Sequence, residues 1–276
     1  MKFSVLMTTY HGEKPEFLEQ SLNSVLVDQT VKPDQLVLVL DGPVGEQLEQ
    51  VVKKFESQFP CVVEVVRCPE NQGQSKASAE GMKYVKHDLV ARMDSDDISV
   101  KDRFEKQLKI YEDNPSLSVV GGWIAEFCLD PNSADSIRQV PEMHDSITKM
   151  FKKRMPINNV TAMIKKDAIE RAGGYGRDTV NEDYSLYARM WVNGDTFYNA
   201  QEVFVMVRTG NGMTARRSDY RIFRDWCKDQ KFLRKNKKQS WLTSFISCAR
   251  VFVFVVLVPS WLKSFIYKKF LRKKSK

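Results

Sequence analysis

Four short runs of apolar residues, each followed by a stretch with apolar positions at helical spacing, constrain this chain more than any other feature. The runs are Phe3–Thr8, Gln35–Leu40, Val62–Arg67 and Asp88–Met93. Between them Pro15–Gln29, Gly45–Gln58 and Gly73–Lys86 carry the helical pattern. Near-continuous apolar strands alternating with amphipathic helices specify an α/β fold, a mostly parallel sheet flanked by helices on both faces. Pro15 suits a first helical turn, where its missing N–H costs nothing. A further helix, Val100–Asn114, stops before Pro115, and Leu117–Phe127 follows as a longer strand. The region 128–200 is less regular. It predicts a strand at Asn159–Lys165 and a helix from Glu182 to Val192.

The 276 residues suit one large domain with an appendage, 1–215 and 216–276, better than two equal halves. Charge divides the same way. Residues 1–200 hold 24 Lys/Arg against 31 Asp/Glu, whereas 201–276 hold 19 against 4. An acidic body suits a divalent cation, and a basic tail suits an anionic surface. The cysteines, Cys61, Cys68, Cys128, Cys227 and Cys248, are scattered, with neither zinc spacing nor a disulfide framework. That points to a reducing compartment. Met1–Met7 is too short an apolar run for a secretory signal and reads as a first strand.

The tail differs in kind. Arg216–Lys238 predicts a basic helix, and Val251–Val258 is wholly apolar. Arg250 and Lys263 confine its most apolar stretch to twelve residues, whereas a spanning helix needs about 20. Lys231, Arg234, Lys235, Lys237 and Lys238 precede it, and Lys268, Lys269, Arg272, Lys273, Lys274 and Lys276 follow. Such a frame predicts a helical element lying in the headgroups of an anionic leaflet. The alternative is a helix buried in the core or in a dimer interface. No nucleic-acid recognition motif is present, so nucleic acid is not an expected partner.

Asp94, Asp96 and Asp97 end the fourth run. Carboxylates packed so closely repel unless a cation or solvent relieves them. At the C-terminal edge of a parallel sheet, Asp94 and Asp96 form a candidate hard-oxygen metal site. Asp97 can equally cap the following helix. Gly173-Gly174-Tyr175 and then Glu182-Asp183 form a second group. Acidic residues at a helix start stabilise its dipole, and Asp183 is also a candidate general base. Thr8-Thr9-Tyr10, Asp41-Gly42 and Asn71-Gln72-Gly73 each follow a strand and jointly mark a ligand-binding rim.

The order of these segments resembles glycosyltransferase family 2, with the GT-A fold, over roughly residues 1–210. Arg103-Phe104-Glu105-Lys106-Gln107, Gly121-Gly122-Trp123 and Arg208 with Asn211-Gly212-Met213 narrow the resemblance to the branch of amylovoran-type exopolysaccharide and O-antigen transferases. The resemblance implies that Thr8, Tyr10 and Asp41 hold the uracil and ribose of a UDP-sugar, with Asn71 and Gly73 on the nucleotide side. It implies Mn2+ or Mg2+ and the donor diphosphate on Asp94 and Asp96, and Asp183 as base of an inverting transfer. The acceptor it implies is a polyprenyl-diphosphate-linked sugar, met at the cytoplasmic face of the bacterial inner membrane. Arg216 and Arg217 are candidates for the acceptor's diphosphate. The chain departs from the family at Leu40-Asp41, where two aspartates are common, and near Ala79–Glu80, where an Asn is common. Two rival functions are a sugar nucleotidyltransferase and a non-catalytic membrane-docked module. The first needs a Gly-rich basic loop after the first strand, which Thr8–Glu13 lacks. The second has no use for Asp94, Asp96 and Asp183 together.

Overall fold

β1 (Phe3–Thr9) is buried along its whole length because strands flank it on both sides and helices cover both faces. β2 (Gln35–Leu40) runs parallel on one side, with β3 (Val63–Arg67) parallel beyond it, and β4 (Leu89–Asp94) runs parallel on the other. The computed structural model describes residues 1–176, 179–210, 220–258 and 273–274. The expected Arg216 and Arg217, and the tail residues 259–272, lie outside the described residues.

Side-chain alternation explains the two covered faces. Val5, Met7, Leu36 and Leu38 join one apolar cluster with Leu18 and Leu22 of α1 (Pro15–Leu26) and Phe55 of α2 (Glu46–Gln58). Leu6, Val37, Val39 and Val90 point the other way, to Ala77 of α3 (Gln74–Met82). Each of the Val, Leu, Met and Phe side chains among these contributes roughly 1.5–3 kcal/mol on burial. The first cluster includes Phe104 of α4 (Arg103–Asp113). The second includes Ile147 of α5 (His144–Phe151), Ile169 of α6 (Lys166–Arg171) and Leu186 of α7 (Glu182–Asn193).

The sheet is mixed. β8 (Met163–Lys165) lies antiparallel between β4 and β6 (Val119–Phe127). β9 (Phe197–Arg208) runs parallel to β6 and carries β5 (Ile98–Ser99) antiparallel on its far end. β7 (Ser136–Arg138) pairs antiparallel with β6, and β10 (Lys273–Lys274) with β7. Gly122 is required where β6 meets β9, because a Cβ there would run into the Phe204 ring. The motif beginning at Arg103 is a clasp. Arg103 Nη2 donates to the Arg92 carbonyl of β4 at 2.8 Å, and Gln107 Nε2 donates to the Val120 carbonyl of β6 at 2.8 Å.

The basic helix expected at Arg216–Lys238 is observed as α8 (Tyr220–Lys235) among the described residues. It is not solvated all round. Trp226 packs on Tyr184 of α7 with ring centroids 4.4 Å apart, and Leu233 is fully buried. α9 (Trp241–Phe252), capped by the Ser240 hydroxyl, lies against it. There the Trp226 indole N–H donates to Ser247 at 3.2 Å. Among the described residues no helix is long and apolar enough to cross a membrane.

Candidate active site

The chain runs from β1 through β2 to β3, then crosses back to β4 on the other side of β1. That reversal leaves a crevice at the C-terminal ends of β1 and β4, where α/β sheets bind ligands. Thr8 stands opposite Asp94 in the β1–β4 register. A cleft of about 730 Å³ opens there. Every expected donor-side residue lines it: Thr8, Tyr10, Asp41, Asn71, Gly73 and Asp94, together with Asp96.

Asp41 is buried, and its oxygens accept the Gln72 and Gly73 backbone N–H groups at 2.8 and 2.9 Å. It therefore holds the 71–73 loop against the rim while lining the cleft. Gly42 permits the approach: its φ is +85°, and a Cβ would come within 2.6 Å of the Asn71 nitrogen.

The carboxylates after β4 divide by role. Asp97 is buried and accepts the Arg208 backbone N–H at 2.8 Å, so it ties β4 to the end of β9. Asp94 is half-buried and accepts from the Gln74 amide at 3.2 Å. Burial, then the adjacent Asp96, pushes its carboxyl up to about 6. Glu13 enters the same cleft, accepting from the Ser95 hydroxyl at 2.9 Å, and burial raises its carboxyl too. Arg208 closes the wall. Its guanidinium lies 3.8 Å from the Phe17 ring centroid and donates to the Asp96 carbonyl at 3.2 Å.

Among the described residues no group of three His, Cys, Asp or Glu side chains is arranged to hold a metal ion. Asp94 and Asp96 both line the cleft and are the candidate donor pair. That fits a small divalent cation that takes one or two carboxylates and fills its shell with water and phosphate oxygens. Burial and then the Asp96 charge both disfavour the ionised Asp94, and a bound cation would offset both.

Asp183 sits in the first turn of α7 and lines a second cavity of about 1110 Å³. The two cavities share Gln74, whose amide also holds Asp94. Asp183 keeps part of its surface open to that cavity. Packing of protein around it, then the neighbouring Glu182, still pushes its carboxyl up to about 8, against the attraction of Arg92. Asp94 adds to the rise, so the carboxylates of the two cavities lie in one another's field.

Arg92 is the residue that motif reading passed over. It is fully buried, donates to Ser78 at 3.2 Å, and lies 5.1 Å from the Tyr175 ring centroid. Asp94, Glu182 and Asp183 all lie in its field. Its Nε and Nη1, the Tyr175 hydroxyl and Glu182 Oε1 have no hydrogen-bond partner among the described residues. A cation in a strand otherwise apolar from Leu89 to Met93 was the available signal. The glycine pair has a structural role. Arg189 of α7 donates to the Ala172 and Gly174 carbonyls at 2.6 and 2.7 Å, locking the 172–175 turn to α7.

Three comparisons bear on this geometry. The model of the family described as Glycosyl transferase family 2 matches residues 4–173. Amylovoran biosynthesis glycosyltransferase AmsE of Erwinia amylovora is 33% identical over 97% of this chain and 98% of its own. The UDP-Gal:alpha-D-GlcNAc-diphosphoundecaprenol beta-1,3-galactosyltransferase of Escherichia coli is 33% identical over 99% of this chain and 97% of its own. Among solved structures, a Pyrobaculum calidifontis mannosyltransferase in complex with GDP-Man and Mn2+ superposes with a TM-score of 0.65. It is 14% identical and covers 92% of this chain and 70% of its own, a likeness of fold alone.

Proposed function

Since this chain belongs to glycosyltransferase family 2, we propose that it moves a hexose, glucose or galactose, from a UDP-sugar to a sugar on a lipid diphosphate, inverting the anomeric carbon. The observation that carries this reading is the junction at Gln74. On one side lies a cleft with paired carboxylates, and on the other a carboxylate with a raised proton affinity. Such a pair of cavities suits two substrates meeting at one bond.

Thr8, Tyr10 and Asp41 take the uracil and ribose, with Asn71 and Gly73 beside them. Asp94 and Asp96 hold Mn2+ or Mg2+, which when bound neutralises charge on the departing diphosphate. The Asp183 carboxylate accepts the proton of the acceptor hydroxyl. The oxygen so freed bonds to the anomeric carbon, and the bond to the UDP oxygen breaks with its electron pair leaving on UDP. Arg92 keeps part of the Asp183 population ionised near neutral pH, as a base requires. Holding both partners in line supplies much of the remaining acceleration.

The Escherichia coli relative's name supports a UDP-hexose donor and a lipid-diphosphate acceptor. The amylovoran relative supports a role in surface polysaccharide synthesis. Such acceptors sit in the inner membrane, and the exposed apolar residues of α9 suit peripheral attachment at its cytoplasmic face. The test is a panel of UDP-sugars with Mn2+ and a synthetic lipid-diphosphate-GlcNAc acceptor. Transfer of one hexose, lost on chelation, is expected. Donor turnover with no transfer from any UDP-sugar would overturn the proposal.

A further inference from the structure

The cavity that holds Asp183 is built of three unlike parts. Where it adjoins the donor cleft it presents Gln74, Glu182 and Asp183. Along α9 it is apolar, with Phe245, Ile246 and Ala249 in its wall. Three cations complete it: Lys153 and Arg154, just after α5, and Arg250 of α9. All three are exposed, and no carboxylate among the described residues pairs with any of them.

Building on the lipid-diphosphate acceptor read above, we propose that this cavity is the acceptor's own site. Lys153, Arg154 and Arg250 bind its diphosphate, and the α9 wall takes the first isoprene units.

The chemistry of the acceptor matches these parts. Its hydroxyl must reach Asp183, so its sugar enters the cavity beside Glu182 and Asp183. A diphosphate cannot sit against those two carboxylates and needs cations, which the cavity supplies unpaired. The prenyl chain then needs apolar surface that a soluble sugar acceptor would not. Phe245 and Ile246 line the cavity, yet they are also 58% and 49% exposed, so the wall continues onto the outer face of α9. A chain leaving along it emerges where Trp241 and Leu242 stand exposed. The expected Arg216 and Arg217 are not needed for this assignment.

The test uses the full-length protein and GlcNAc-α-diphosphate acceptors with prenyl chains of increasing length, beside an uncharged octyl-GlcNAc. Lys153→Ala and Arg154→Ala are expected to raise KM for the diphosphate acceptors about tenfold each, the value of one charge-assisted contact. The donor KM and the KM for octyl-GlcNAc should stay within about twofold. Ala249→Trp, at an exposed position that folding tolerates, should fill the wall and raise KM for long chains more than for short ones. Unchanged acceptor KM in all three variants would overturn the site, as would equal losses on octyl-GlcNAc. A shift in oligomeric state without a shift in acceptor KM would instead give this face to a second copy of the chain. If the wild type glycosylates no lipid-diphosphate acceptor at all, the functional reading itself falls.

Discussion

At the scale of single residues, the proposed mechanism turns on how the fold treats three carboxyl groups. Asp183 is raised to about 8 by burial and Glu182, from an unfolded value near 4. The fold therefore favours its neutral form. That stabilisation is complete below about pH 4 and is lost as pH climbs through about 8. The proposed base acts in the opposite form, so kcat/KM should rise along an acid limb whose midpoint lies toward 8 in the free enzyme. Asp183→Asn should lower kcat at least about 10³-fold and leave the donor KM within about twofold. It should also stabilise the protein at pH 8 by about 1 kcal/mol or more, roughly 2–4 °C in Tm, and hardly at pH 4. Thermal melts at both pH values check this, and an equal gain at both removes the burial argument. Asp96→Ala acts differently. It should raise the donor KM at limiting Mn2+, with partial rescue at high Mn2+, and the wild type should lose activity in EDTA. A fully active chelated enzyme would end the metal assignment at Asp94 and Asp96.

At the scale of elements, the 71–73 loop is held by contacts that tolerate little change. Gly42→Ala places a Cβ 2.6 Å from the Asn71 backbone at a φ of +85°. It should cost about 2 kcal/mol or more of stability, seen in denaturant midpoints, and raise the donor KM by moving Asn71 and Gly73. A variant of normal stability and donor KM would show that this close approach is dispensable. The first half of the molecule was legible in the sequence because both its periods are clean. β1 to β4 and α1 to α4 lie within a few residues of the expected spans, with α1 and α3 ending three and four residues early. β9 escaped notice because its burial breaks at Gln201 and Glu202 and it bulges against β6, so no alternation survives. β5 and β7 are too short to show a period. The strand expected at Asn159–Lys165 divides into a 3-10 turn, Asn159–Thr161, and β8. Asn158 and Thr161 explain the division, each bonding through its side chain to the Gly122 backbone rather than continuing a ladder. The residues that line the cleft were legible because each ends or follows a strand. Arg92, Gln74 and the Lys153–Arg154 pair were not, since only packing brings them to Asp94 and Asp183.

At the scale of the whole molecule, charge and apolar exposure point to the same part of the chain. The acidic body would be repelled by an anionic leaflet, and the last 76 residues, with 19 Lys/Arg against 4 Asp/Glu, would be drawn to it. α9 lies in that basic part, and its outer face leaves Trp241, Leu242 and Phe245 each close to 60% exposed. Isolated exposed apolar residues are ordinary, but three on one helical face beside basic clusters are what an interfacial helix requires. Deleting residues 240–276 would be an ambiguous test, because α9 covers Trp226, which is part of the second core cluster. Trp241→Ser combined with Leu242→Ser removes outward surface and leaves the cavity wall at Phe245, Ile246 and Ala249 in place. Its melting temperature should stay within about 2 °C of the wild type, as expected for exposed positions. Sedimentation with vesicles containing anionic lipid should fall at least about tenfold, since burying a Trp and a Leu side chain contributes more than the roughly 1.4 kcal/mol a tenfold change requires. Residual binding should weaken further with salt, as the basic flanks are screened. Because the proposed acceptor site opens along the same helix, transfer to a lipid-embedded acceptor should fall in parallel, while transfer to a short-chain acceptor in solution should not. Equal binding of both proteins to vesicles at low and high salt would leave the membrane without a contact on α9.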